Sequence, residues 1–232
     1  MNAISVQQKL NDCLSVLLRF QVETMGCGRT DKGVHAKEYY AHFDTESEIP
    51  DMDRFLISLN ALLPNDIAVY SIIPVHQTAH VRFHAVARTY EYEIVRKKDP
   101  FRLDSAWYLF SHRDIDRMNE AAQLMLTHRD FSCFAKSGGR FKTPECRVSE
   151  ARWIEQDDTR IFTITANRFL RNMVRAVVGT LLEVGDGSMS VADFQNLLVS
   201  GNRCDAGISV PAHGLSLVSV RYPFIIEGAY VG

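Results

Sequence analysis

The chain has 232 residues, 46% hydrophobic and 23% charged, the composition of a globular protein with enough apolar surface for a core rather than of a disordered or fibrous one. No apolar run approaches the ~20 residues of a bilayer-spanning helix, and Met1–Leu10 lacks a signal-peptide pattern, so no membrane association is expected. The net charge of −2 argues at first sight against a nucleic-acid partner.

Ser5-Val-Gln-Gln8 reads as a capping box, and Val6, Leu10, Cys13, Leu14, Leu17 and Leu18 follow at the spacing of a one-sided amphipathic helix. A glycine-flanked loop, GCGRTDKGVHA at 26–36, comes next and leads into a predicted strand over Tyr39–Phe43. A second helix is predicted over Met52–Leu63, with Phe55, Leu56, Leu59, Leu62 and Leu63 inward and Pro64 closing it. Ile67–Ile73, rich in β-branched residues, reads as a strand. Thr89–Arg96 alternates, placing Tyr90, Tyr92 and Ile94 on one face. Lys97-Lys98-Asp99-Pro100 is the best linker candidate and sets expected domains of 1–98 and 99–232.

A helix follows around Asp114–Leu126, with Ile115, Met118, Ala121, Ala122 and Met125 inward. Ala151–Ile154 and Ile161–Thr165 read as neighbouring strands across a polar turn. The strongest helix signal spans Phe169–Val184, where Leu170, Met173, Val174, Val177, Val178, Leu181 and Leu182 repeat at helical spacing, with Gly185 as its stop. A short helix after Ser190 and a final strand at Leu215–Arg221 complete a mixed pattern, which argues for an α/β or α+β layering of sheet and helices.

Charge is segregated along the chain. Arg82–Arg102 holds six bases against three acids and Lys136–Arg152 five against two, whereas Asp44–Asp66 holds six acids and one base. Such a chain can offer one basic surface while remaining negative overall. The five cysteines are odd in number and without CxxC spacing, which favours reduced thiols in a cytosolic setting over a disulfide frame or zinc site. His76, His80 and His84 recur at four-residue intervals, but the sequence between them alternates like extended chain and no carboxylate joins them, so no metal site is expected. Ser137-Gly-Gly-Arg140 is a flexible basic loop without the pattern of a nucleophile elbow.

The loop at 26–36 fails the tests for phosphate-cradling glycine loops. It lacks Gly-Lys-Ser/Thr, Asp31 stands where a dinucleotide fingerprint needs glycine, and the order is helix before and strand after. A carboxylate also repels phosphate, so the loop presents Asp31. Arg168, Arg171 and Arg175 fall at i, i+3 and i+7, a predicted basic ridge at the N-terminal end of the long helix, where cations oppose the macrodipole. A carboxylate, a basic ridge and an aromatic platform on Tyr90 and Tyr92 are parts suited to acting on a nucleobase.

GRTDKGVHA at 28–36 resembles the catalytic motif of the TruA family of tRNA pseudouridine synthases. ARTYEYEI (87–94), DFSCFAKSG (130–138), FLRNMVRAVVGTLLEVG (169–185) and PAHGLSLVSVRYP (211–223) resemble that family's further blocks, in its order. The resemblance implies an enzyme that isomerises uridine to pseudouridine in the anticodon stem-loop of tRNA, at positions 38 to 40, without metal or organic cofactor. It implies an α+β fold of two similar ferredoxin-like domains, forming one continuous antiparallel-rich sheet with helices on one side and the active-site cleft between domains. It also implies a cytoplasmic homodimer with tRNA as partner.

By the same resemblance Asp31 is the attacking aspartate, Tyr90 stacks on the uracil and takes part in removing the C5 proton, and Arg175 pairs with the carboxylate. An adjacent cation holds a carboxylate ionised and oriented. Arg29 helps displace the base, Leu215 lines the uracil pocket, and Thr30, Arg168 and Arg171 are expected to contact substrate. Family members usually open with a strand and a Tyr-Asp-Gly…Gly-Trp-Gln loop ahead of the segment matching Asn2–Gln8; this sequence starts at that point, and exposed apolar residues are expected there. The alternative is a non-catalytic RNA-binding paralogue.

Overall fold

The computed structural model describes residues 4–45, 48–136, 138 and 141–224; of the basic loop at 137–140 only Gly138 is therefore described. The helices are α1 (Val6–Leu18), α2 (Met52–Leu62), α3 (Ile115–Leu124), α4 (Met173–Asp186) and α5 (Val191–Ser200). The strands are β1 (Met25–Gly26), β2 (His35–Ala36), β3 (Ala41–His42), β4 (Ala87–Val95), β5 (Trp107–Tyr108), β6 (Val148–Gln156), β7 (Thr159–Ala166) and β8 (Leu215–Arg221). The described residues form two compact units, one within 1–29, 40–85 and 222–232, the other within 30–39 and 86–221. Among the described residues no helix is long and apolar enough to cross a membrane.

In the smaller unit α1 and α2 pack around Leu14, Val22, Leu59 and Leu63, and β1 pairs antiparallel with β3. Ser5 caps α1 by accepting the Gln8 amide, but the Gln8 side chain bonds Asp12 instead, so the expected capping box is only half made. Val6 and Leu62, expected inward, are 62% and 46% exposed. Ile67–Ile73 forms no ladder, contrary to its strand-like composition. The Asn60 amide on α2 bonds both the N–H and the carbonyl of Val69, at 2.8 and 2.7 Å, which satisfies the backbone as a neighbouring strand would.

The larger unit is a mixed sheet with helices packed on one side, an α+β arrangement. Its order is β2-β8-β4-β7-β6, antiparallel except for β2 against β8, and β5 pairs in parallel with the end of β4. Lys97–Pro100 turns the chain between β4 and β5. The alternation read from Thr89–Arg96 holds: Tyr92 and Ile94 are fully buried against the helices, while Glu91 and Glu93 face the other way and bind Lys37. Burial lowers the Lys37 pKa, but the ion pairs with Glu93 and Glu91 outweigh it and the net shift is upward. The edge strand β6 is covered by α3, whose Asn119 bonds the Trp153 N–H and carbonyl and whose Gln123 bonds the Ala151 carbonyl.

All seven apolar residues read at helical spacing between Leu170 and Leu182 are buried, but α4 begins only at Met173. Asn172 takes a left-handed conformation at φ 68°, which breaks helical continuity from Phe169. Gly185 does not stop the helix either. It lies inside α4, where a Cβ would come within 2.5 Å of the Met118 sulfur; Gly187, at φ 82°, ends it.

Candidate active site

Asp31 is presented by a turn whose sequence enforces it. The Val34 N–H donates to the Asp31 carbonyl at 3.1 Å, and Gly33 sits at φ 84°, where residues with side chains are strained. The chain then joins the sheet: β2 pairs with β8, the Lys37 N–H donates to the Leu217 carbonyl at 2.8 Å, and the Val220 N–H donates to the Glu38 carboxylate at 2.8 Å. The loop's C-terminal side is thereby fastened to the sheet. On its N-terminal side it follows the short strand β1, not a helix as the sequence pattern suggested.

Two arginines close on the carboxylate. Arg175 NH1 donates to Asp31 Oδ2 at 3.3 Å, and Arg171 Nε lies 3.8 Å from Oδ1, within ion-pair reach but too far for a hydrogen bond. Asp31 and Arg175 side chains are 23% and 21% exposed, against 68% for Arg171. The arrangement corrects the expected basic ridge. With α4 starting at Met173, Arg168 and Arg171 precede the helix and only Arg175 lies on it. Arg168 is half-buried and donates to the Thr143 carbonyl at 3.1 Å, away from Asp31 in its bonding.

An open cleft of about 490 Å³ is lined by Asp31, Lys32, Lys136, Arg171, Asn172, Arg175, Arg203 and Ser209, all from the larger unit. Five cations therefore surround one carboxylate. Such a site attracts a polyanion electrostatically while offering a single carboxylate within it as nucleophile or base. Lys32, Lys136, Asn172, Arg203 and Ser209 were not singled out by sequence reasoning. Lys136 had a signal in the basic stretch that begins with it; Arg203 and Ser209 had none, because nothing in their spacing connects them to Asp31.

The other expected residues fall elsewhere. Tyr90 is half-buried on the helix-facing side of β4, edge-on to Phe169 at 5.2 Å between ring centroids, and is not among the residues lining the cleft. Leu215 is buried at the start of β8, opposite Tyr92. Arg29 and Thr30 are exposed and outside the cleft lining. Tyr92 donates its hydroxyl to the Pro211 carbonyl at 2.9 Å; burial pushes its phenol well above the usual range, only partly offset by the charge of Arg175. Among the described residues, no three metal-ligating side chains converge. His80 Nδ1 instead accepts the Arg82 and Phe83 amides at 3.2 and 3.3 Å, within a local turn.

A family model described as tRNA pseudouridine synthase matches residues 121–223. A tRNA pseudouridine synthase A from Parabacteroides distasonis is 47% identical over 96% of this chain and 88% of its own length. One from Bacteroides fragilis is 48% identical with the same coverage. Another from Clostridium acetobutylicum is 35% identical over 95% of this chain and 91% of its own. The chain belongs to the tRNA pseudouridine synthase A family. The stretch of this synthase-family chain matched by the family model takes in Lys136, Arg171, Asn172, Arg175, Arg203 and Ser209, six of the eight residues lining the cleft.

Proposed function

We propose that the chain isomerises uridine to pseudouridine in the anticodon stem-loop of tRNA, at positions 38, 39 or 40, with Asp31 as the nucleophile. The observation that supports this most is the single carboxylate held by Arg175 at 3.3 Å within a cleft of five cations. Lys32, Lys136 and Arg171 suit the phosphates around a target nucleotide, and the carboxylate suits attack on the nucleoside itself.

In this reading Arg175 pairs with the Asp31 carboxylate and aims it. Attack by the carboxylate accompanies cleavage of the bond between uracil N1 and ribose C1′, whose electron pair leaves with the uracil. The base turns and C5 forms the new bond to C1′ as the bond between C1′ and Asp31 breaks, its electron pair returning to the carboxylate; the C5 proton is then lost and N1 gains one, so the nucleotide's mass is unchanged. Tyr90 stacks on the uracil and assists removal of the C5 proton, Leu215 lines the uracil pocket, Arg29 helps displace the base from the stem, and Thr30 contacts the substrate. Arg168 and Arg171 complete the contacts to the RNA. The enzyme works without metal or organic cofactor, as a cytoplasmic homodimer.

The test is release of tritium from tRNA labelled at uracil C5, by the wild type and by Asp31→Asn. Release by the wild type alone is the expected result. Release by neither, with tRNA still bound, would identify a non-catalytic RNA-binding protein. Equal release by both would remove Asp31 from the mechanism.

A further inference from the structure

The segment from Arg203 to Val210 contributes two residues to the cleft, yet none of the steps above uses it. Arg203 directs its guanidinium into its own segment: NH1 donates to the carbonyls of Ala206 at 3.1 Å and Gly207 at 3.2 Å, and NH2 reaches Ser209 Oγ at 3.4 Å. Ser209 Oγ in turn accepts from Asn172 Nδ2 at 2.6 Å. Asn172 is the left-handed residue that turns the chain into α4, and its side chain makes no capping bond to the helix. Its amide is engaged with Ser209 instead.

Two further attachments follow the first. Arg175 Nε donates to the Val210 carbonyl at 2.7 Å while the Val210 N–H donates to the Arg175 carbonyl at 3.2 Å. The Gly207 N–H donates to Thr180 Oγ1 at 2.9 Å. The segment is thus joined to Asn172, just before α4, and to Arg175 and Thr180 on it, with the residue that pairs with Asp31 in the middle. Gly179 permits the approach, since a Cβ there would lie 1.8 Å from the Ile208 carbonyl oxygen.

We infer that Arg203 is a positioning residue for the isomerisation: it holds the 203–210 segment closed, and through Ser209 and Val210 it sets the direction in which Arg175 meets Asp31. The inference rests on the synthase reading above. A cation lining a cleft for RNA would ordinarily be read as a phosphate contact. Here both NH1 hydrogens are committed to backbone carbonyls, which a phosphate would have to displace. The planar fork also matters, because one lysine ammonium does not reproduce a guanidinium bonded along two edges.

Arg203→Lys, Arg203→Gln and Ser209→Ala are compared with the wild type in single-turnover tritium release at saturating tRNA, and in tRNA binding across a range of salt. The expected result is release slowed by about ten- to a hundredfold in both Arg203 variants and less in Ser209→Ala. Affinity and salt slope should stay at wild-type values, and lysine should give no rescue. If lysine restores the wild-type rate while Arg203→Gln weakens binding and reduces the salt slope by about one, Arg203 holds a phosphate and the inference is overturned. Wild-type release rates in all three variants overturn it too. Should the Arg203 variants fail to fold, Ser209→Ala decides by its rate at saturation, slowed or unchanged. No release from the wild type itself overturns the synthase reading, and this inference with it.

Discussion

Arg175 and Val210 exchange two hydrogen bonds, from Arg175 Nε to the Val210 carbonyl at 2.7 Å and from the Val210 N–H to the Arg175 carbonyl at 3.2 Å. With Nε fixed, the planar guanidinium presents NH1 to Asp31 Oδ2 in one orientation. Charge alone does not need this; direction does. Arg175→Lys keeps the charge and loses the fork, so tritium release should fall about a hundredfold while tRNA affinity changes little. Wild-type rates in that variant would show that only a positive charge is required beside Asp31.

A glycine inside a helix costs about 1 kcal/mol relative to alanine, so Gly179, in the middle of α4, calls for a packing reason. The reason is the Ile208 carbonyl, which a Cβ would meet at 1.8 Å. Gly179→Ala must therefore push the 203–210 segment away from α4. A loss of about 1–3 kcal/mol in urea unfolding is expected from such overpacking, together with slower turnover, because the displaced segment includes the Val210 carbonyl that aims Arg175. A variant more stable than the wild type would refute the close approach.

Three buried groups make stability fall at alkaline pH. Burial pushes the Tyr92 phenol above its ordinary range, the Cys133 thiol up to about 12 and the Cys146 thiol up to about 11. Each folded pKa is raised, so the contribution is fully present below the unfolded value and is lost as pH rises. The decline should begin near pH 9 for the thiols and pH 10 for the phenol. Denaturant midpoints measured from pH 8 to 11 should drop accordingly. Tyr92→Phe should flatten the upper part of that drop, after a loss of about 1 kcal/mol at neutral pH for its bond to the Pro211 carbonyl.

The apolar repeat from Leu170 to Leu182 and the alternation of Tyr90, Tyr92 and Ile94 were readable because burial on one face imposes a period. The start of α4 was not, because periodicity continues through Leu170 while the backbone breaks at Asn172. Ile67–Ile73 misled for the converse reason: β-branched residues favour extended chain, but an Asn60 amide serves it in place of a strand. At the site, the loop motif led to Asp31 and the helix spacing to Arg171 and Arg175. Arg203 and Ser209 join them only through folding, 28 and 34 residues further along the chain from Arg175, with no local pattern to mark them. Periodicity likewise gave Tyr90 and Tyr92 one face but not their depth, which differs because Tyr92 alone is fully buried.

Lys32 and Lys136 offer a test of how the cleft holds its substrate. Both line it, and the ion pairs of Asp31 are made with Arg171 and Arg175, not with either lysine. Their ammonium groups should therefore serve phosphates rather than the carboxylate. Each neutralised phosphate contributes about 0.7–0.9 to the slope of log affinity against log salt. Lys136→Ala should weaken tRNA binding and lower that slope by about this amount, and Lys32→Ala with Lys136→Ala by about twice as much. Asp31→Asn should act oppositely on affinity, since it removes the one carboxylate among the residues lining the cleft, while abolishing tritium release. Unchanged slopes in the lysine variants would place the phosphates elsewhere on the protein, and an unchanged affinity in Asp31→Asn would mean the carboxylate stays clear of the phosphate backbone.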